Sequence, residues 1–341
     1  VGLDSLEANT TGAQNTATGN HSLTSNTTGS LNSAFGNSTL DANTTGSHNS
    51  AFGHNALGAN TTANDNTAIG HKALEANTTG TRNTALGAWS LDSNTTASDN
   101  TAVGYDALAA NTTGTRNSSL GSYALDASST NDDNTAIGYN ALSANAANSN
   151  TAVGSRSLDA NTTGTRNVAV GDLSASDNTT SNDITAIGYA ALQVNTGSEN
   201  TAVGSRALDA NTTASYNTAI GSVALTTNTT GTSNAAAGYA ALHDNTTGAS
   251  NTAVGRQSLE KNTTASQNTA VGHEALRFNT TGQYNTAVGY QALDANTTAD
   301  QNTAVGYNAM LTNTTGTLNV AVGGGSLDAN TTGNNNTAVG Q

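Results

Sequence analysis

Histidine and carboxylate side chains recur in this sequence at intervals of 17 residues, a spacing that would bring them together in a repeating fold. His54 and His71 are separated by this interval, and so are Glu75 and Asp92. Neighbouring imidazoles are transition-metal ligands, and neighbouring carboxylates bind Ca²⁺ together with backbone carbonyls. These two pairs are therefore the candidate metal sites of the chain.

Both pairs also have an interpretation without a metal. The 17-residue column of His54 and His71 includes His273 and Arg256 together with Asn, Asp and Gln, and this mixture favours an exposed surface. The glycine-rich signature of calcium-binding β-rolls is absent, which favours a solvated face for the carboxylates. The acidic members of the column that contains Glu75 are Glu7, Asp41, Glu75, Asp92, Asp126, Asp159, Asp209, Glu260, Asp294 and Asp328.

Aromatic residues are candidates for ligand contact, because exposed rings stack on sugars or on partner surfaces. The tyrosines that share the column of His54 are Tyr105, Tyr139, Tyr189, Tyr239, Tyr290 and Tyr307. They are spread along the repeats, and Trp89 is an isolated occurrence, so the sequence does not favour a dedicated carbohydrate site. Paired threonines also recur, but they are adjacent, whereas a flat ice-binding face needs threonines two residues apart on a strand.

Catalysis finds no support, because the sequence has no nucleophile, base and acid set and no phosphate loop outside its repeats. We therefore assign no catalytic, cofactor-binding or metal residue, and we expect a protein that is not an enzyme and needs no cofactor. The net charge of −14 disfavours nucleic acid as a partner. No apolar run approaches the roughly 20 residues of a membrane helix, so membrane insertion is not expected.

The elements that would position these residues are copies of one 17-residue unit, which reads N-T-A-V-G-Y-Q-A-L-D-A-N-T-T-A-D-Q at 285–301. Only two steps, from Asn134 to Asn150 and from Ile184 to Asn200, are 16 residues long. A fixed short period is the signature of a solenoid. The copies begin at Asn15, Asn32, Asn49, Asn66, Asn83, Asn100, Asn117, Asn134, Asn150, Asn167, Ile184, Asn200, Asn217, Asn234, Asn251, Asn268, Asn285, Asn302, Asn319 and Asn336.

Within each unit, the Thr-Ala-Val run at positions 2–4 predicts a strand, and the invariant glycine at position 5 predicts a turn. A helix is the competing interpretation, but only about six residues lie between this glycine and the following Asn-Thr-Thr, too few for a stable helix. We therefore predict an all-β fold, a parallel β-solenoid (β-roll) of 17-residue coils, as a single array over residues 1–341. We expect the aliphatic residue at position 4 and the leucine at position 9 to point inward, for example Leu108, Leu208 and Leu293.

Two columns of asparagine, at positions 1 and 12, frame the unit. Stacked coils would place each asparagine about 4.8 Å from its copies, close enough for a hydrogen-bonded ladder. The second column begins an Asn-Thr-Thr triplet, which is also an N-glycosylation sequon, as at Asn77, Asn111, Asn211 and Asn296. A glycan on every coil would crowd its neighbours, so we predict that these asparagines are unmodified ladder residues.

The N-T-A-V-G-Y-Q-A-L segment closely resembles repeats in the shafts of phage-type long tail fibres. It is also similar to the N-S-x-A-x-G repeats in the head domains of trimeric autotransporter adhesins. The resemblance covers almost the whole chain and implies a parallel β-roll with three chains side by side. The adhesin repeat is shorter, about 14 residues, so that family does not account for the Asn-Thr-Thr segment.

The resemblance and the small apolar content of each coil both lead us to expect a homotrimer. The leading hypothesis is a structural rod, about 95 Å long at about 4.8 Å per coil, that presents an adhesive or receptor-binding tip at a virion or cell surface. The alternatives are a binding module whose exposed columns contact a cell-surface glycan or receptor, and a self-assembling extracellular filament. The sequence has no evident capping unit at either end, so we expect a segment of a longer protein.

Overall fold

The computed structural model describes residues 2–341, which contain twenty three-residue β-strands and no helix. Each strand occupies positions 2–4 of one repeat, as the Thr-Ala-Val run predicts. The competing helical interpretation is wrong. The strands are β1 Thr16–Thr18, β2 Ser33–Phe35, β3 Ser50–Phe52, β4 Thr67–Ile69, β5 Thr84–Leu86, β6 Thr101–Val103, β7 Ser118–Leu120, β8 Thr135–Ile137, β9 Thr151–Val153, β10 Val168–Val170, β11 Thr185–Ile187, β12 Thr201–Val203, β13 Thr218–Ile220, β14 Ala235–Ala237, β15 Thr252–Val254, β16 Thr269–Val271, β17 Thr286–Val288, β18 Thr303–Val305, β19 Val320–Val322 and β20 Thr337–Val339.

The chain divides into two compact units, Val1–Asn167 and Val168–Gln341. In the first unit β1 to β9 pair in chain order, and in the second β10 to β20 do the same, with every pair parallel. Each residue pairs with its own copy in the next coil, as Ala202 does with Ala219. The prediction of a parallel β-solenoid with 17-residue coils is confirmed, whereas the single array over residues 1–341 stays a prediction.

The interior of each coil is narrow and is filled by small side chains and one leucine. Except in the end coils, the alanines at positions 3 and 8 are almost completely buried, and so are the leucines at position 9. Leu108, Leu208 and Leu293 are each 0% exposed, which confirms their predicted inward orientation.

The aliphatic side chains at position 4 point outward, so the prediction that they point inward is wrong. Leu120 is 49% exposed and Ile137 is 39% exposed. The reason is strand geometry, since successive side chains alternate between the two faces. The buried alanine at position 3 takes the inner face, and positions 2 and 4 must then face outward. Phe35 and Phe52, at position 4 of neighbouring coils, stack on this outer face with ring centroids 4.8 Å apart.

The chain turns its corners through left-handed backbone conformations. The glycine at position 5 has φ near +135°, and a Cβ on Gly221 would lie 2.4 Å from the carbonyl oxygen of Gly238 in the next coil. Leucines at position 9 also adopt positive φ, 52° at Leu208. This conformation costs a residue with a side chain about 1–2 kcal/mol. The Leu208 amide offsets part of that cost by donating to the Ala224 carbonyl of the next coil, and its carbonyl accepts from the Asn211 amide.

The asparagines at position 12 form the predicted ladder. Between Asn9 and Asn111 each side-chain amide donates to the Oδ1 atom of the preceding copy, at distances of 2.8 to 3.1 Å. A second ladder runs from Asn195 to Asn330 at 2.7 to 3.4 Å. Each ladder amide also donates to the carbonyl of position 15, as Asn211 does to Ala214 at 2.9 Å.

The asparagines at position 1 bond mainly to the backbone rather than to each other's side chains. The Asn200 side-chain amide donates to the same Ala214 carbonyl at 2.8 Å, and its Oδ1 accepts the backbone amide of Asn217 at 2.9 Å. The backbone carbonyl at position 15 thus accepts hydrogen bonds from the asparagine side chains at positions 1 and 12 of the same coil. These two bonds hold the three positions close together. This arrangement recurs along both units, for example at Ala265 with Asn251 and Asn262.

The ladder is interrupted at Ser128, which occupies position 12 of its coil. The Ser128 hydroxyl and the Oδ1 atom of Asn111 are both buried, and neither has a hydrogen-bond partner among residues 2–341. The serine side chain is too short to reach the Oδ1 atom of Asn111 in the preceding coil. The sequence shows this substitution, but its consequence depends on the burial of both groups.

Replacing Asn211 with alanine is expected to lower the free energy of unfolding by about 2–4 kcal/mol. The change removes the bonds to Asn195 and Ala214 and leaves the Asn228 amide without its 3.1 Å acceptor. Denaturant unfolding followed by circular dichroism measures the loss, and amide hydrogen exchange locates it in the coils on either side.

The matched test for Asn211→Ala is Ser128→Asn, which should stabilise the protein by about 1–2 kcal/mol by giving Asn111 its missing donor. If Asn211→Ala is neutral and Ser128→Asn destabilises, the side-chain ladder does not hold the coils together.

Candidate binding surface

Six aromatic side chains form one continuous column on the first unit. We call His54, His71, Trp89, Tyr105, Tyr123 and Tyr139 the aromatic run. Neighbouring ring centroids are 5.2 to 6.2 Å apart from one end to the other. Each of six consecutive coils contributes one ring, so the spacing follows directly from the stacking of coils.

The expectation that the aromatic residues are spread out is wrong for this stretch. Position 6 holds Ala88 and Ser122 in two of the six coils, so this position alone does not give a continuous row of rings. Trp89 and Tyr123, at position 7, fill the gaps and contact the rings on either side. The signal was present in the sequence and required positions 6 and 7 to be considered together.

A second column lies on the second unit and is built differently. His273, Tyr290 and Tyr307 are stacked nearly parallel, with interplanar angles of 6° and 12° and centroids 5.3 Å apart. The Arg256 guanidinium continues the column, with its Nη1 atom 3.0 Å from the His273 ring and its carbon 5.8 Å from the centre of the Tyr239 ring. Tyr189 has a similar cation–π contact with Arg206 at 5.9 Å.

The structure places the candidate metal ligands as neighbours but adds no further ligand. His54 and His71 are exposed and stack at 5.4 Å. Among residues 2–341, no group of three or more His, Asp or Glu side chains converges in a way that could hold a metal ion. His273 has Arg256 and Tyr290 as its neighbours.

Most of the carboxylates at position 10 are half-buried rather than fully solvated, and the exceptions, Glu7 and Asp328, are exposed in the end coils. Glu75 accepts hydrogen bonds from Asn55 at 2.9 Å and forms an ion pair with Lys72 at 3.0 Å. Burial alone would raise the pKa of Glu75, but Lys72 and Asn55 outweigh it and the pKa is lowered. Burial raises the pKa of Asp92. Because the Glu75 carboxylate is already bonded to Lys72 and Asn55, the pair of Glu75 and Asp92 does not favour a calcium site.

The most buried of these carboxylates, Asp294, belongs to a charged cluster on the second unit. Asp294 is 7% exposed, and its Oδ1 lies 3.2 Å from the Nε atom of Arg277. Arg277 also contacts Glu274 at 2.7 Å and lies over the Phe278 ring at 4.3 Å. The Nε–Oδ1 contact is an ion pair, but it is not aligned as a hydrogen bond. Burial raises the pKa of Asp294 to about 6, and the Glu274 charge adds to this, while Arg277 opposes it.

A ladder of alternating charge at position 17 was not predicted from the sequence. Arg82 forms a two-point ion pair with Asp99 at 2.6 and 2.9 Å, and Arg116 forms the same pair with Asp133. These bonds raise the pKa of each arginine and lower the pKa of each aspartate. The sequence feature that predicts this ladder is the alternation of acidic and basic residues at 17-residue intervals. In the first unit the ladder consists of His48, Asp65, Arg82, Asp99, Arg116 and Asp133.

An open cleft of about 510 Å³ lies beside one end of the aromatic run. Its walls include Tyr123, Asp126, Tyr139, Asn140 and Ser143. Aromatic rings, a carboxylate, an amide and a hydroxyl therefore meet at one place on the surface. A shallow polar site of this kind is suited to binding rather than to excluding water for catalysis.

In comparisons with known proteins, no family model, curated protein sequence or solved structure matches the chain. The resemblance to tail-fibre shafts and adhesin heads therefore stays a prediction. In the part of the chain that the structure describes, no helix has the length and apolar character needed to cross a membrane.

The raised pKa of Asp294 predicts that the contribution of this residue to the free energy of unfolding falls as pH rises from about 4 to about 6. In this range the folded protein keeps a proton on Asp294, whereas the unfolded chain, with an ordinary pKa near 3.9, releases it. The shift corresponds to at most about 3 kcal/mol. Replacing Asp294 with asparagine should flatten the pH dependence of denaturant unfolding in this range.

Asp133→Asn is the control for Asp294→Asn, because Arg116 lowers the pKa of Asp133 and its contribution has the opposite sign. An unchanged decline in Asp294→Asn would show that this carboxyl titrates normally in the folded protein.

Proposed function

We propose that this chain is a structural segment, a rod of stacked coils that holds an adhesive or receptor-binding tip away from a virion or cell surface. The observation that supports it is the regular bonding of each coil to the next within both units. Backbone amides at positions 2, 9 and 13 donate forward, as Thr218, Leu208 and Thr212 do, and the asparagine side chains join the same coils. Bonds distributed around the whole coil resist bending in every direction.

The proposed rod assembles with copies of itself. We call the outward residues at position 4 the aliphatic stripe, which includes Ile69, Leu86, Leu120 and Ile137 in the first unit. A row of exposed aliphatic side chains on successive coils marks an interaction surface. A second copy carries the same row at the same spacing, so parallel copies match coil for coil. Parallel copies around one axis form a closed cyclic assembly, and the resemblance to trimeric fibres favours three chains.

An extracellular filament decorated with N-linked glycans receives less support than the rod. The sequon asparagines Asn77, Asn111, Asn211 and Asn296 are fully buried. Both amide hydrogens of Asn211 are donated within the protein, to Asn195 and Ala214. A glycan at these positions would require the ladder to open.

Deleting residues 217–250, which are two complete coils, should shorten the rod by about 10 Å without unfolding it. Register is restored after the deletion because Asn251 then occupies the place of Asn217. Small-angle scattering measures the change in the longest dimension, and attachment through the tip of the intact parent protein should be unchanged.

Deletion of residues 217–225 is the control, because removing nine residues places position 10 where position 1 belongs. Loss of attachment in proportion to the coils removed would contradict the spacer proposal and favour a binding module.

The double variant Ile69→Lys and Ile137→Lys should convert a trimer of the 33.8 kDa chain into folded monomers. Both side chains are 39% exposed, so lysine is accommodated in the single chain, but two buried cations per copy oppose association. Sedimentation velocity gives the mass, and circular dichroism reports the fold. Tyr216→Lys, an exposed site outside the stripe, should remain trimeric, whereas a monomeric parent protein would refute the assembly.

A further inference from the structure

The aromatic run has an arrangement that leaves ring faces free. Trp89 is nearly perpendicular to both neighbours, at 85° to His71 and 80° to Tyr105, and Tyr123 and Tyr139 are at 85° to each other. When two adjacent rings are perpendicular, at least one of them turns its face away from its neighbour. Tyr105 is 41% exposed and Tyr139 is 51% exposed, so the run presents ring surface to solvent.

The second column provides an internal comparison. His273, Tyr290 and Tyr307 are nearly parallel, and each ring face lies against the next ring. This column has the same coil spacing and similar residue types, and Tyr290 and Tyr307 are 43% and 63% exposed, but its neighbouring rings lie face to face and cover the faces between them. If the only role of an aromatic column were to stabilise the stacking of coils, a parallel arrangement of rings would be sufficient in both columns. The two columns therefore differ in what they can offer a ligand.

Polar groups adjoin the aromatic run at its Tyr139 end. Asp126, Asn140 and Ser143 line the open cleft together with Tyr123 and Tyr139. The Oδ1 atom of Asp126 is buried and has no hydrogen-bond partner among residues 2–341. A buried acceptor without a donor is costly, and rotation of the carboxylate toward the cleft would let it accept a bond from an entering hydroxyl.

We infer that the aromatic run and this cleft form a binding surface for an uncharged, extended polysaccharide. Sugar rings have an apolar face of C–H groups that stacks on aromatic rings, and their hydroxyls donate to carboxylates and amides. A row of six rings at regular spacing matches a polymer of repeated rings better than a compact ligand. The net charge of −14 selects against acidic glycans and nucleic acids. The binding surface adds a function to the proposed rod and does not depend on its oligomeric state.

The protein contains a single tryptophan, Trp89, which lies within the run, so its fluorescence reports ligand binding directly. The probes are three soluble neutral polysaccharides, a β-1,4-glucan, a β-1,3-glucan and an α-mannan, with heparin as the anionic comparison. Titration of the intact protein should shift the Trp89 emission with at least one neutral probe, and affinity electrophoresis should show retention by the same probe.

Tyr139→Ala should weaken that binding at least tenfold, and Asp126→Ala should weaken it several-fold. Tyr139→Phe keeps the ring and should bind nearly as well as the parent protein, which separates loss of stacking from a folding defect. The matched control is Tyr290→Ala, which removes a ring from the parallel column and should leave binding unchanged.

Four results would overturn the inference. One is the absence of any response to all three neutral probes, and another is an equal loss of binding in Tyr290→Ala and Tyr139→Ala. The third is a fall in oligomer mass in Tyr139→Ala without any polysaccharide binding by the parent protein, since the run would then be a contact between copies. Binding to heparin alone would also contradict it.

Discussion

The fold depends on the asparagine side-chain amide at position 12, whose hydrogen bonds must all be made inside a narrow coil. Asn211 is fully buried, and water cannot reach its side chain. Its partners lie in the coil before, in the coil after and three residues along its own coil. Each buried polar group left without a partner would cost about 1–3 kcal/mol, comparable with the gain from burying a leucine, so each coil is forced into register with the next. Strand pairing, the corner conformations and the surface columns all follow from that register.

The same constraint explains how the repeat tolerates a missing residue. In the two 16-residue coils the ladder amide reaches a carbonyl two residues ahead instead of three, as Asn145 does to Ala147 and Asn195 does to Gly197. The following rungs, from Asn161 to Asn145 and from Asn211 to Asn195, are intact at 2.8 and 2.7 Å. The deletion is confined to the segment between the two asparagine columns, so the rest of the coil keeps its place.

Constant register turns any repeated surface residue into a column. Position 4 gives a row of aliphatic side chains, position 17 gives ion pairs of alternating sign, and positions 6 and 7 give rings. Short acceptors at position 16 have a structural role as well, since the Ser98 hydroxyl accepts the backbone amide of Thr81 at 3.0 Å. The loop between the two asparagine columns therefore keeps a hydrogen-bond acceptor at position 16 in most coils.

The sequence by itself determined the period, the strand at positions 2–4, the buried leucine and the asparagine ladder. These features repeat in nearly every coil, and a residue that is almost constant in a polar chain has few physical explanations. Only the tertiary structure decided which way position 4 faces, because a three-residue strand can turn either face inward and the apolar residue at position 4 suggested the wrong one. The small alanine at position 3 fits the narrow interior, whereas a valine or phenylalanine does not. The aromatic run also required the structure, because its rings come from two neighbouring positions, and their contact depends on the distance between coils rather than on either column alone.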